Sequence, residues 1–167
     1  MRHAGSPVDR MGRAPGGEAI VRRWILLRVG LAILTVYQAV LGLWALAAPH
    51  SFYDGFPAPG HPWVALLPPY NEHLVRDVGG LYLALATMLG AAALTLHRTT
   101  IMSALLAMLV FTLPHTIFHV GHLQGFPAID ALAQTVGFAL QLVITLGLLA
   151  LTWRLPARPS RAPTPPD

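Results

Sequence analysis

The chain has 167 residues, 54% of them hydrophobic and only 11% charged, with a formal net charge of +4. Soluble domains carry about 25% charged residues, so the composition excludes an ordinary soluble globule and points to an integral membrane protein. No cysteine is present, which excludes disulfides, thiolate metal sites and cysteine nucleophiles.

The first 20 residues are rich in Gly, Pro and Arg without an apolar period, and read as a disordered tail. A membrane domain is expected over 21–154. Four apolar runs follow, over about 29–48, 78–96, 101–120 and 131–153. Each approaches or exceeds the roughly 20 residues that a helix needs to cross a bilayer. Backbone groups in lipid must be satisfied within the segment, so all four are predicted helices. The fold class expected is all-α, an integral membrane four-helix bundle. Residues 155–167 are mostly Pro, Arg, Ala and Thr and read as a second disordered tail.

All basic side chains are arginines. Arg2, Arg10, Arg13, Arg22, Arg23 and Arg28 precede the first span, Arg98 separates the second from the third, and Arg154, Arg158 and Arg161 follow the fourth. Four crossings put these on one side and Arg76 alone on the other. The positive-inside rule then places both termini in the cytoplasm, N-in and C-in. The same placement explains the pI near 10.3 without nucleic acid as a partner. A competing signal is Ala45-Leu-Ala47, which resembles a signal-peptidase site. The apolar run before it is longer than the 7–15 residues of a signal peptide's core.

The outer loop, Pro49 to Asn71, carries six prolines and the aromatics Phe52, Tyr53, Phe56, Trp63 and Tyr70. It cannot be one helix, and its rings suit the headgroup layer. Trp63 to Leu67 is expected to form a short turn over the bundle. Asn71 is a candidate cap of the second span and Asp130 of the fourth, while Thr99 or Thr100 could cap the third. Small residues at Gly80/Ala84, Ala86/Gly90 and Ala133/Gly137 suggest close helix packing.

The candidate site lies in the outer half. His115, His119 and His122 are spaced by 4 and 3 residues, so their imidazoles share one helix face. Pro114 is expected to kink the helix below them. Because the second span runs inward and the third outward, His73 and Asp77 lie at the depth of these histidines. Glu72, Arg76 and Asp130 belong to the same layer, with Arg76 and Asp77 expected as an ion pair. Gln134, Gln141 and Thr145 continue a polar stripe down the fourth span, and Gln38 lies midway along the first.

Ionisable groups at membrane depth are costly and mark function more often than not. His73, Asp77, His115, His119 and His122 are therefore candidate ligands of Zn, Cu or Fe, since imidazole and carboxylate suit such ions. The pattern is not the zincin HExxH. A single b-type haem between His73 and one histidine of the third span is an alternative. A further alternative is a non-enzymatic scaffold whose polar groups staple the bundle, with a membrane-protein partner or a second copy as its target. Proton or small-molecule movement is the weakest reading, because no ionisable chain continues through the inner half. No reaction follows from the pattern.

Arg76-Asp-Val-Gly-Gly-Leu81, with Tyr82 following, resembles the start of the second span in DoxX-like proteins, a loose group of small four-helix bacterial membrane proteins, largely uncharacterised. The four-span pattern covers about Trp24 to Trp153. The resemblance implies a four-helix fold and a bacterial cytoplasmic (inner) membrane. The histidine triplet is not part of the general DoxX-like pattern, so the resemblance supplies neither an activity nor a site residue.

Overall fold

The computed structural model describes residues 15–67 and 69–154; Pro68 and the expectations for residues 1–14 and 155–167 lie outside them. Helix α1 (Pro15–Ala47) is followed by a short α2 (Pro49–Gly55) and a two-stranded hairpin, β1 (Pro57–Ala58) and β2 (His61–Pro62). Then come α3 (Glu72–Thr95), α4 (Arg98–Gly121) and α5 (Ala128–Arg154). The four long helices are apolar enough to cross a membrane, and they overlap the four predicted spans. Large apolar side chains such as Leu94, Val110 and Val143 point outward and are exposed, as expected of helices solvated by lipid.

Helix α1 begins earlier than predicted, inside the stretch read as a tail. Pro15 opens it, at a position where its missing N–H costs nothing, and Glu18 lies in the first turn, where the helix dipole favours an acid.

The bundle closes in the order α1, α3, α4, α5, with α5 returning to α1. Helix α1 buries Leu27, Leu31, Leu34, Gln38, Leu41 and Ala45. Helix α3 buries Val75, Gly79, Tyr82, Ala86, Leu89 and Ala93. Both rows follow the alternating spacing of 3 and 4 that lets two helices interdigitate along their length. At Gly42 and Gly79 the backbones touch. A Cβ on Gly79 would sit 2.9 Å from Leu46 N, and one on Gly42 would sit 2.9 Å from Gly79 O. Glycine at both positions is what permits this approach.

The small-residue stripes are thus only partly where the sequence suggested. Gly79, not the exposed Gly80, makes the closest approach. Ala133 is exposed and nothing lies within 4 Å of a Cβ on Gly137.

Arginines tie helix ends to their neighbours. The Arg76 guanidinium donates to the carbonyl of Leu46 in the last turn of α1, one of the four carbonyls a helix end leaves unpaired. Arg76 also pairs with Glu72 at 2.9 Å. The expected Arg76–Asp77 pair is replaced by this one, because i,i+4 neighbours face each other on a helix and i,i+1 neighbours do not. At the opposite end of the bundle, Arg28 Nε donates to Ala93 O at 3.2 Å.

The Asn71 side chain caps α3 by accepting from Leu74 N at 3.2 Å, as expected. The cap of α4 is His97 with no side-chain bond; the helix starts at Arg98, which leaves Thr99 and Thr100 inside its first turn.

One apolar cluster fills the end of the bundle where α3 turns into α4: Leu27, Leu31, Leu34, Leu85, Leu89, Leu96, Ile101, Leu105, Met108, Leu148 and Leu149 are its larger members. The other end is built differently.

Candidate functional site

At the end opposite the leucine cluster, the four helices and the loop line a partly open cavity of about 250 Å³. The loop supplies its roof through Phe52, Phe56, Trp63, Val64 and Leu67. As expected, residues 63–66 form a turn, with Leu66 N donating to Pro62 O at 3.2 Å. One wall carries Tyr37 of α1 with Val78 and Tyr82 of α3. The other carries Phe111, Thr112, His115, Phe118 and His119 of α4 with Gln134, Gly137, Phe138 and Gln141 of α5.

The two imidazoles continue the buried row of α4. Ile101, Ala104, Leu105, Met108 and Thr112 are buried, and His115 and His119 follow at the same spacing, half-buried. The helix runs unbroken through Pro114. His115 stacks on Phe111 with ring centroids 5.1 Å apart and meets Phe138 edge-on at 5.3 Å. His119 lies 4.5 Å from His115 and 5.0 Å from Phe138. Tyr82 and Phe111 meet edge to face at 5.3 Å. Such offset and edge-on contacts are the favoured aromatic geometries.

Polar contacts hold α4 to α5. His119 Nδ1–H donates to Gln134 Oε1 at 3.2 Å, and Gln141 Nε2 donates to Thr112 Oγ1 at 3.3 Å. Thr145, fully buried, donates to Gln141 O. Gln38 donates to Met108 Sδ at 3.1 Å, and its Oε1 is buried without a hydrogen-bond partner. The polar stripe read on α5 is therefore real, and it points inward.

The roof is fastened by a contact that sequence reasoning missed. His61 Nδ1–H donates to Asp130 Oδ1 at 2.7 Å. The Asp130 side chain is 7% exposed and that of His61 48%. Asp130 was expected to cap α5; it lies instead in the first turn and binds the hairpin. His61 gave no signal because it lies among prolines and glycine in a loop, where no periodicity fixes a direction.

The five predicted metal ligands do not converge. His73 and Asp77 pair with each other at 2.8 Å, and their side chains are 85% and 64% exposed. They sit on the face of α3 opposite its buried row. His122 is exposed, and its Nδ1–H donates to Phe118 O at 2.7 Å. Only His115 and His119 line the cavity. Among the described residues no group of three His, Cys, Asp or Glu side chains could hold a metal ion. The expectation of a Zn, Cu or Fe site built from His73, Asp77, His115, His119 and His122 finds no support in this arrangement. A haem bridging His73 and α4 loses its basis too, since His73 does not line the cavity.

What the arrangement offers instead is an aromatic chamber with imidazole, amide and hydroxyl groups on its walls. Compared with protein-family models, curated proteins and solved structures, the chain matches none.

Proposed function

We propose that the chain is a four-span protein of a bacterial cytoplasmic membrane, with both termini inside, that binds a small molecule in the outer half of its bundle. The asymmetry of the arginines supports the orientation. The observation that carries the binding role is the cavity of about 250 Å³. An apolar cavity of about 150 Å³ suffices to hold benzene, and drug-sized pockets start near 300 Å³. The chamber lies between these, which suits a molecule of one or two rings. Mostly apolar walls with a few convergent polar groups are the usual make-up of a ligand site.

Equilibrium dialysis against protein in lipid nanodiscs tests this reading with a panel of one- and two-ring compounds, neutral and charged. Saturable uptake of at least one compound above empty discs, lost in Gly137→Trp, is expected. No saturable uptake of any compound overturns it.

A second reading is favoured by the contacts between α4 and α5. His119–Gln134 and Gln141–Thr112 also suit a structural staple in a protein that serves as an assembly partner. In that case Gln141→Leu weakens the bundle while the panel shows no uptake.

A further inference from the structure

The chemistry of the cavity wall narrows the ligand, on the assumption that the binding reading above holds. We infer that the site takes a neutral, lipid-soluble ring compound with a single oxygen function, such as a phenol or an aromatic alcohol.

First, charge. Among the described residues no Arg, Lys, Asp or Glu lines the cavity. Asp130, the nearest carboxylate in sequence to the lining residues of α5, is bound to His61. An ionised ligand would lose its hydration without gaining a counter-ion, which is costly in a largely apolar site. Second, shape. Phe111, His115, His119 and Phe138 present rings at centroid separations of 4.5–5.3 Å, and a flat ring extends such a stack where a flexible chain does not.

Third, polarity. His119 uses Nδ1 on Gln134, which leaves Nε2 as an acceptor. The inner Gln141 amide nitrogen donates to Thr112, and Trp63 Nε1–H, buried on the roof without a partner among the described residues, offers a donor to the ligand's oxygen. A hydroxyl donor on the ligand therefore has an acceptor to meet, and a plain hydrocarbon leaves that acceptor unpaired.

Fourth, access. The roof is held down by the His61–Asp130 contact. Helices α1 and α5 meet where Leu148 closes on Gly30, near the leucine end. Farther out, Tyr37 of α1 is 44% exposed and Gly137 of α5 is exposed, and both line the cavity. The seam between these helices is thus a side entrance from the bilayer, where neutral ring compounds partition and ions do not.

The experiment uses the full chain in nanodiscs, with naphthalene, 1-naphthol and 1-naphthoate as probes and empty discs as reference. The expected order is 1-naphthol first, naphthalene weaker by about tenfold for the lost hydrogen bond, and no saturable binding of 1-naphthoate. His119→Leu should remove the difference between 1-naphthol and naphthalene, because both lose the ring contact and only 1-naphthol also loses the hydrogen bond; the naphthalene binding that remains shows that the variant is folded. Binding of 1-naphthoate as tight as that of 1-naphthol overturns the neutral assignment while the site stands. Equal binding of naphthalene and 1-naphthol overturns the role of the oxygen. Saturable binding of 1-decanol, included as a chain alcohol without a ring, with none of the three bound, overturns the ring assignment. Failure of the whole panel overturns the site itself.

Discussion

Where α1 meets α3, Gly42 and Gly79 bring backbone onto backbone, and leucines interdigitate on either side. Where α4 meets α5, long polar side chains span the seam through His119–Gln134 and Gln141–Thr112, and the helices stand away from the opposite wall around a cavity. In lipid no hydrophobic force drives helices together, so close van der Waals packing has to do it. The α1–α3 seam meets that requirement and reads as the scaffold. The α4–α5 wall forgoes it at the end away from the leucine cluster and keeps polar groups that an apolar packing would not need. On the binding role proposed above, stability and recognition fall to different helix pairs.

This contrast breaks most readily at Gly79. Gly79→Leu forces a side chain into the backbone of Leu46 and Gly42, with an expected loss of about 3 kcal/mol from overpacking, read as a lower midpoint of denaturant unfolding in mixed micelles. Gly80→Leu next to it, where the nearest atom would be 3.9 Å away, is the control and should stay within about 0.5 kcal/mol of wild type. Equal losses at both positions would remove the scaffold from the account.

The roof comes next. His61→Ala leaves the buried Asp130 carboxylate without its donor, at an expected cost of about 2 kcal/mol. The hairpin should then become more sensitive to proteolysis between residues 56 and 62, whereas His73→Ala, which removes an exposed pair, should leave the cleavage pattern unchanged. The smallest effect is expected at the polar seam. Gln141→Leu should cost about 0.6 kcal/mol, the average for hydrogen bonds between membrane helices, and a loss several times larger would favour the structural reading over the binding one.

The helices were legible because each apolar run has one length that suits a bilayer. The inward direction of the α5 stripe was legible as well, since Asp130, Gln134, Gln141 and Thr145 share a face. The rotation of α3 was not read correctly, although the signal was present. Val75, Gly79, Tyr82, Ala86, Leu89 and Ala93 form a continuous 3-and-4 row, and His73, Asp77, Gly80 and Ala84 form another. Only one row can face the bundle. The charged row was assigned inward because polar groups at depth suggest function, while the row with Tyr82 and the small residues is the one that packs. His73 and Asp77 lie in the first turns of their helix, where exposed charges are not forced into hydrocarbon. The cavity was not legible at all, because the roof depends on where a proline-rich loop folds back.

The absence of cysteine makes one measurement direct. Gly137 and Gly147 both lie on α5, both are exposed, and neither has an atom within 4 Å of an added Cβ. They differ in that Gly137 lines the cavity. Single cysteines at the two positions, treated with a small methanethiosulfonate in nanodiscs, should react differently. The account predicts that Gly137→Cys is modified faster than Gly147→Cys and is protected by 1-naphthol. Equal rates at the two positions, with no protection at either, would contradict an open ligand chamber in the outer half of the bundle.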